Sequence, residues 1–422
     1  MKYEPYSTVV EHGHDFFPEL ATSLFYFIEK LHRILLEQGI ERVYFLSREG
    51  QPLMRMFDMY CEHTAKHVVS HYLEVSRRST LLPSLAPLAE ENFETLFRQY
   101  RCISLFEFLS SLGLEQYTKD IVKTLELTDG REIQREKDFP TSTIFMKLRN
   151  SLEFGELYEH ERTIRRKAFI DYLAVLSGGE LPSRLAIVDV GWKGTIQDNL
   201  FALLCNKNDT PVNVVTGYYI GLVAEGAANS RNNKYGLLFS SVGTPSPKFR
   251  VFNENRALFE VLLAADHGSI ISYQSTENGC AYPVRGEFEE SDMLRAEVFP
   301  VQHSLFKRFE KLLATSPHYF ENKSFFFNKL VKGHSRMVFN PTPQERRWFS
   351  SVFHVENYGV FEHSHFAVLQ SPQGVVQRLL FLKKLLLRKD IGDLGFWPWN
   401  TIYERGGRVA AFIYASIRRL QR

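Results

Sequence analysis

The first regular pattern in the chain lies at residues 19–37, where Leu20, Leu24, Phe27, Ile28, Leu31, Ile34 and Leu35 recur at helical spacing. That predicts a helix with one buried face, and Gly39 is a natural stop. Val43 to Leu46 form an apolar run too short for a helix and suited to a buried strand. Ser47, Arg48, Glu49 and Gly50 break it. Pro52 suits the first turn of a second helix, whose apolar face is Leu53, Met56, Phe57 and Tyr60. HYLEV at 71–75 reads as the next strand and ends in Ser76, Arg77 and Arg78. The clearest buried strand is RLAIVDV at 184–190. Thr195 to Cys205 follow with helical spacing at Ile196, Leu200, Leu203 and Leu204, and NVVTGYYIGL at 213–222 is a further strand. Alternating strands and helices predict an α/β fold, a Rossmann-like parallel sheet with helices on both faces. Such sheets bind ligands at the carboxyl ends of their strands.

The pattern divides the chain into four parts. Residues 1–80 are the first part of the α/β core, and residues 181–275 are its second part. Between them, residues 81–180 read as a helical insertion, with stretches such as SLFEFLSSLGL and RTIRRKAFIDYLAVL and a charged surface connection at 128–138. Residues 254–265 are helical and lead into Asp266-His267-Gly268. Residues 276–422 form a mainly helical C-terminal region with two basic amphipathic stretches, VVQRLLFLKKLLLRK and RVAAFIYASIRRLQR. In the first, Leu379, Leu380, Leu382, Leu385 and Leu386 give an apolar side, and Lys383, Lys384, Arg388 and Lys389 give charge. The pattern suits either loose membrane attachment or a core helix with a solvated basic face.

Composition narrows the classes. With 44% hydrophobic residues in 422, the chain can bury a large core in two or three domains. The 35 phenylalanines fit core packing or an apolar partner surface. A net charge of +2 argues neither for nor against a nucleic-acid partner, whereas the lack of a long basic run interleaved with aromatics argues against one. Cys61, Cys102, Cys205 and Cys280 are isolated, which argues against a zinc site or a disulfide framework. The first residues lack a basic segment followed by an apolar one, and no apolar run reaches the ~18 residues of a spanning helix. A cytoplasmic protein is expected.

Four constellations carry possible chemistry. The first is Asp189-Val190-Gly191-Trp192-Lys193-Gly194-Thr195 at a strand-to-helix junction. Gly191 and Gly194 allow close backbone approach, successive N–H groups at a helix start suit a phosphate, and Thr195 and Lys193 add a hydroxyl and a charge. Asp189 can hold sugar hydroxyls or stabilise developing positive charge. An ordinary tight turn with a capping threonine would look the same. The second is Ser47-Arg48-Glu49-Gly50, where Arg48 and the loop amides suit a second anionic group, or else a solvated Arg–Glu pair. Third, Arg77 and Arg78 can clamp a pyrophosphate or face solvent. Fourth is Glu260 with Asp266-His267-Gly268, where Glu260 faces inward only if its helix phase allows and His267 is either structural or touches a ligand.

These residues resemble the type I phosphoribosyltransferases. In that family an apolar strand, an acidic pair and a loop ending in glycine and threonine cradle the 5-phosphate of phosphoribosyl pyrophosphate. LAIVDVGWKGT is similar in register: Asp189 falls on the second acid and Gly194-Thr195 on the phosphate-binding pair. SREG falls on the pyrophosphate loop. Val188 stands where the first acid is expected, Trp192-Lys193 replaces small residues, and the long gap from Gly50 to Asp189 implies the insertion. Residues 15 to 275 also resemble bacterial capsule and O-antigen biosynthesis proteins often labelled as hydrolases of the haloacid dehalogenase type, which carry runs like YFLSREG, DVGWKGTIQ and FEVLLAADHGSIISY. The Asp-x-Asp nucleophile motif of such hydrolases is missing here, so phosphatase chemistry would belong to a separate protein.

The resemblance implies a transferase that moves 5-phosphoribose from phosphoribosyl pyrophosphate to a sugar hydroxyl of a growing glycan. Asp189 would stabilise charge on the ribose, and residues 191–195 would hold the 5-phosphate. Ser47, Arg48, Gly50, Arg77 and Arg78 would hold pyrophosphate with its Mg²⁺, which the donor rather than the protein would ligate. Glu49 or Glu260 would serve as general base, and His267 would contact the acceptor. A glycosyltransferase using a nucleotide-activated sugar and a non-catalytic component of the assembly complex are the alternatives.

Overall fold

The computed structural model describes residues 15–98, 100–205, 209–276, 281–315, 323–357, 361–365, 374–387 and 394–421. Its centre is a five-stranded sheet. β1 (Arg42–Leu46), β2 (Val69–Leu73), β3 (Arg184–Trp192), β4 (Val214–Leu222) and β5 (Asn232–Ser240) lie in the order β2-β1-β3-β4-β5, all parallel. The strand read at 71–75 is thus shifted to 69–73, and the one read at 184–190 extends to Trp192. The sequence pattern predicts no strand at β5. It is an edge strand whose first half, NNKYG, is polar and part-exposed, so it lacks the buried run that marks β3.

Both faces of the sheet are covered, which is why β1, β3 and β4 are apolar in nearly every position. The pleat divides their side chains. Val43, Phe45, Ala186, Val188 and Val190 pack with α1 (Leu20–Glu37) and α2 (Gly50–Thr64), whereas Tyr44, Leu46, Leu185 and Ile187 pack with helices on the other face. α3 (Arg77–Ser84) follows β2, capped by Ser76 and Ser79 in a reciprocal pair.

The insertion is helical, as expected. It contains α4 (Glu94–Phe97), α5 (Leu105–Ser111), α6 (Thr118–Thr124), α7 (Thr143–Asn150) and the long α8 (Leu152–Leu176). It has a core of its own, built on Phe93, Phe97, Phe108, Phe139 and Phe145. α8 joins two cores: Phe154 and Tyr158 lie in that of the insertion, and Phe169, Tyr172 and Leu173 lie against the sheet beside α9 (Thr195–Cys205).

Beyond β5 comes a short helix, α10 (Phe249–Phe252), and the helix read at 254–265 is present but shorter, as α11 (Ala257–Leu262). The rest is helical but not purely so. A hairpin of β6 (Ile270–Ser275) and β7 (Ala281–Arg285) precedes α12 (Ser291–Met293), α13 (Phe299–Thr315), α14 (Lys323–Phe339) and α15 (Pro343–Ser351). A second hairpin, β8 (Phe353–Asn357) with β9 (Phe361–His365), precedes α16 (Val375–Leu387), α17 (Pro398–Gly406) and α18 (Arg408–Leu420). Among the described residues no helix is long and apolar enough to cross a membrane.

Candidate functional site

The strand order creates one place where neighbouring connections diverge. From β1 the chain passes through α2 to β2 on one side, and β3 lies on the other. The carboxyl ends of β1 and β3 therefore flank the topological switch point, where ligands of open α/β sheets bind. The two motifs singled out in the sequence are the loops that leave these two strands. The pairing Phe45↔Val188 sets Asp189 level with Leu46, one residue before Ser47. A cis peptide bond lies at each strand's end, at Ser47–Arg48 just after β1 and at Gly191–Trp192, the last two residues of β3.

Asp189 is the buried acid of this site. One carboxylate oxygen accepts the Val190 N–H at 2.8 Å. Burial pushes its pKa up to about 8; Glu49 adds to this, Val190 and Arg77 oppose it, and Glu260 raises it further. Asp189 thus lies within the charge of Glu49, Arg77 and Glu260, although the four come from separate segments. Glu49 is half-buried at the cap of α2. Glu260, on α11, accepts a 2.6 Å hydrogen bond from the Trp192 indole N–H. Trp192 in turn stacks on Phe239, and the Arg256 guanidinium lies over its ring. Trp192 therefore positions Glu260.

The loop after β3 is glycine-rich for reasons internal to the protein. At Gly191 (φ +135°) a Cβ would lie 2.1 Å from the Gly221 carbonyl oxygen of β4. At Gly194 (φ +68°) it would lie 2.7 Å from the Tyr219 hydroxyl and 3.0 Å from Lys234 Cε. The expectation that these glycines leave room for a ligand is corrected to that extent: the space in the Cβ direction is filled by β4 and β5 side chains and backbone. Lys193 is exposed, and its carbonyl accepts a 3.0 Å hydrogen bond from Lys234. Thr195 is the half-buried first residue of α9.

Gln197 and Asp198, which the sequence reading passed over, secure this helix start. Gln197 is fully buried; it donates to Asn232 Oδ1 at 2.7 Å and the Asn233 carbonyl at 2.8 Å, and accepts from the Tyr219 hydroxyl at 2.6 Å. Asp198 pairs with Lys234 at 2.7 Å. The signal was a glutamine and an aspartate in the first turn of an otherwise apolar helix.

The loop after β1 is braced from the C-terminal side. The Ser47 hydroxyl donates to the Val75 carbonyl at 2.6 Å and accepts its N–H at 2.9 Å, which ties β1 to the end of β2. Arg48 is buried in an ion pair with Glu290, itself buried. Gly50 is the buried first residue of α2, and Gln51 donates to Asp266 at 3.0 Å. His267 is buried, with Nδ1 2.8 Å from the Gly268 carbonyl and Nε2 2.7 Å from the Tyr72 hydroxyl. With Nδ1–H donating to the carbonyl, Nε2 accepts from Tyr72. Burial lowers the His267 pKa, so the neutral ring is favoured. Both ring nitrogens are engaged within the protein.

The two arginines after β2 part company. Arg78 pairs with Glu115 of the insertion, whereas Arg77 stays half-buried within reach of the charge of Asp189. Among the described residues no group of three or more His, Cys, Asp or Glu is arranged to hold a metal ion. Cys61, Cys102 and Cys205 are free thiols, and Cys280 lies outside the described residues. No family model and no curated protein matches this chain.

Proposed function

We propose that this chain is a phosphoribosyltransferase-like enzyme of capsule or O-antigen assembly that transfers 5-phosphoribose from phosphoribosyl pyrophosphate to a sugar hydroxyl of the growing glycan. One observation carries the reading: SREG and DVGWKGT stand at the carboxyl ends of the adjacent parallel strands β1 and β3 at the switch point of the sheet, and Asp189, which heads the second run, is buried there. Two anion loops at one edge suit a donor with phosphates at both ends of a sugar.

In this reading the main chain of residues 191–195 and the start of α9 hold the 5-phosphate, with Lys193 adding charge and Thr195 a hydroxyl. The loop from Ser47 to Gly50 and Arg77 receive the pyrophosphate. Arg48 contributes by fixing that loop through Glu290, and Arg78 by fixing α3 against the insertion. Asp189 holds the ribose hydroxyls and offsets the positive charge that grows as the bond to pyrophosphate breaks. Its high pKa accords with that role, because an incoming cation favours the ionised carboxylate and releases the proton. Mg²⁺ fits here as part of the donor: Glu49, Glu260 and Asp189 make a negative environment for it, and it would offset leaving-group charge. With Glu260 held by Trp192, we assign Glu49 as proton acceptor for the glycan hydroxyl. His267 supports Tyr72 beneath the loop. We place the reaction in the cytoplasm, in keeping with the exposed free thiol of Cys102. A separate phosphatase would then remove the 5-phosphate.

A thermal-shift series tests this. Phosphoribosyl pyrophosphate with Mg²⁺ should raise the melting temperature more than either alone, since a ligand of the folded state stabilises it by mass action. Stabilisation by a nucleotide sugar instead would transfer the site to a glycosyltransferase of that donor class. Stabilisation by neither would favour a non-catalytic component of the assembly complex.

A further inference from the structure

We propose that α16 and α18 form a face that docks on an anionic phospholipid surface, lying on it without crossing it. The inference is independent of the donor chemistry. It rests on how the two helices divide their residues.

In α18 the packed side is small: Ala411 and Ala415 are buried, with Ala410 and Tyr414 against the main core. The opposite side is apolar and open. Val409 is 74% exposed, Phe412 68% and Leu420 83%, and Ile413 and Ile417 are exposed with them. At ~100° per residue these five fall in a single arc of about 140°. Solvated helix faces are usually polar, so a second apolar arc opposite the packed one marks a surface made for something else. α16 repeats the arrangement. Phe381 and Leu385 pack on the core, while Val375, Val376, Leu379, Leu380 and Leu387 are exposed. The sequence reading had placed Leu385 on the attachment side; the structure puts it in the packing. The Leu386 side chain, Arg388 and Lys389 lie outside the described residues. The helices meet at Gly406, where a Cβ would lie 3.1 Å from both Ala410 and Leu382.

Charge identifies the occupant. Neither helix contains an aspartate or glutamate. Arg378, Lys383, Lys384 and Arg408 are exposed among the apolar residues. Arg418 and Arg419 turn inward, to Glu254 and Ser335, and anchor α18 to the body. An apolar face whose charged residues are all basic complements anionic headgroups over acyl chains. A second copy of this chain, meeting the face by a two-fold axis, would set basic residues against basic residues. Helices of 13 residues each reach about 20 Å, short of a ~30 Å hydrocarbon core.

The test is co-sedimentation of the full chain with vesicles of phosphatidylcholine alone and of phosphatidylcholine with phosphatidylglycerol. The protein should partition onto the anionic vesicles about tenfold more strongly than onto the neutral ones. Phe412→Asp with Ile413→Asp, and separately Lys383→Glu with Lys384→Glu, should each reduce that partition about tenfold. Both pairs are exposed, so the melting temperature should stay at the wild-type value; Leu420→Asp serves if the first pair fails to fold. Absence of binding, or equal binding to both vesicle types, overturns the inference. So does a dimer in light scattering that Phe412→Asp converts to a monomer, because the face would then belong to a second copy.

Discussion

Arg48 and Glu290 are 242 residues apart in the chain and form an ion pair with side-chain exposures of 10% and 3%. The pair locks the loop after β1 to the segment that follows the β6–β7 hairpin. Removing one partner strands the other as a buried charge, which costs about 3–5 kcal/mol, whereas replacing both by apolar residues is near neutral. Arg48→Met should therefore lower the unfolding free energy in urea by about that amount. Arg48→Met with Glu290→Met should recover most of it. If the loop serves the donor, the double variant regains stability but not donor affinity. A single variant with wild-type stability would contradict the bracing role.

Asp189 gives stability a pH dependence of known sign. Its folded pKa of about 8 lies above the ordinary 3.8 of an unfolded aspartate. The folded protein keeps a proton that the unfolded chain gives up, so this contribution is complete below about pH 4 and is lost as pH rises to about 8. Asp189→Asn never ionises. Its melting temperature should therefore rise relative to wild type across that window and level off above it. Donor-dependent turnover should fall by about 10²–10³-fold in the same variant. Unchanged turnover would remove Asp189 from the chemistry, whatever the melting curves show.

Gly191 and Gly194 should respond unequally to alanine. The Cβ at 191 meets a backbone carbonyl at 2.1 Å, and β4 cannot retreat without breaking its ladder. At 194 the neighbours are side-chain atoms, the Tyr219 hydroxyl and the Lys234 chain, which yield more readily than a backbone ladder. Gly194→Ala should cost about 1–3 kcal/mol from its positive φ, and Gly191→Ala clearly more. Thermal unfolding measures both. Loss of donor affinity without loss of stability at Gly194 would restore the simpler picture of a side chain blocking a phosphate.

The central strands are legible because they are buried on both faces: β1 and β3 carry apolar runs, Val43 to Leu46 and Leu185 to Val188, and polar residues follow each. Edge strands carry no such mark. β2 was placed two residues late, since its exposed Val69 starts a strand of half-buried residues. β5 was not seen at all. Asp189 was legible as the one acid on the clearest strand. Its partners were not, because Glu49, Arg77 and Glu260 meet it only through the fold. Arg48 looked like an anion ligand, and nothing around Glu290 in the run EFEES announces that it would take that arginine. The phase of α16 was also misjudged: a leucine-rich helix with two apolar arcs cannot reveal from its own sequence which arc packs inward.

β1 lies inside the sheet, between β2 and β3, but β3 follows the whole insertion in the chain. As the polypeptide emerges from the ribosome, β1 can pair with β2 while its other edge has no partner. The insertion, with a core of its own, is made during that interval and can gain structure from local contacts first. A nascent chain at that stage presents the run VYFL on an open edge, the condition that favours pairing with a neighbouring chain. The time taken to translate the insertion is therefore the time for which the open edge of β1 is a liability for aggregation, and β3, which brings Asp189, also closes that edge.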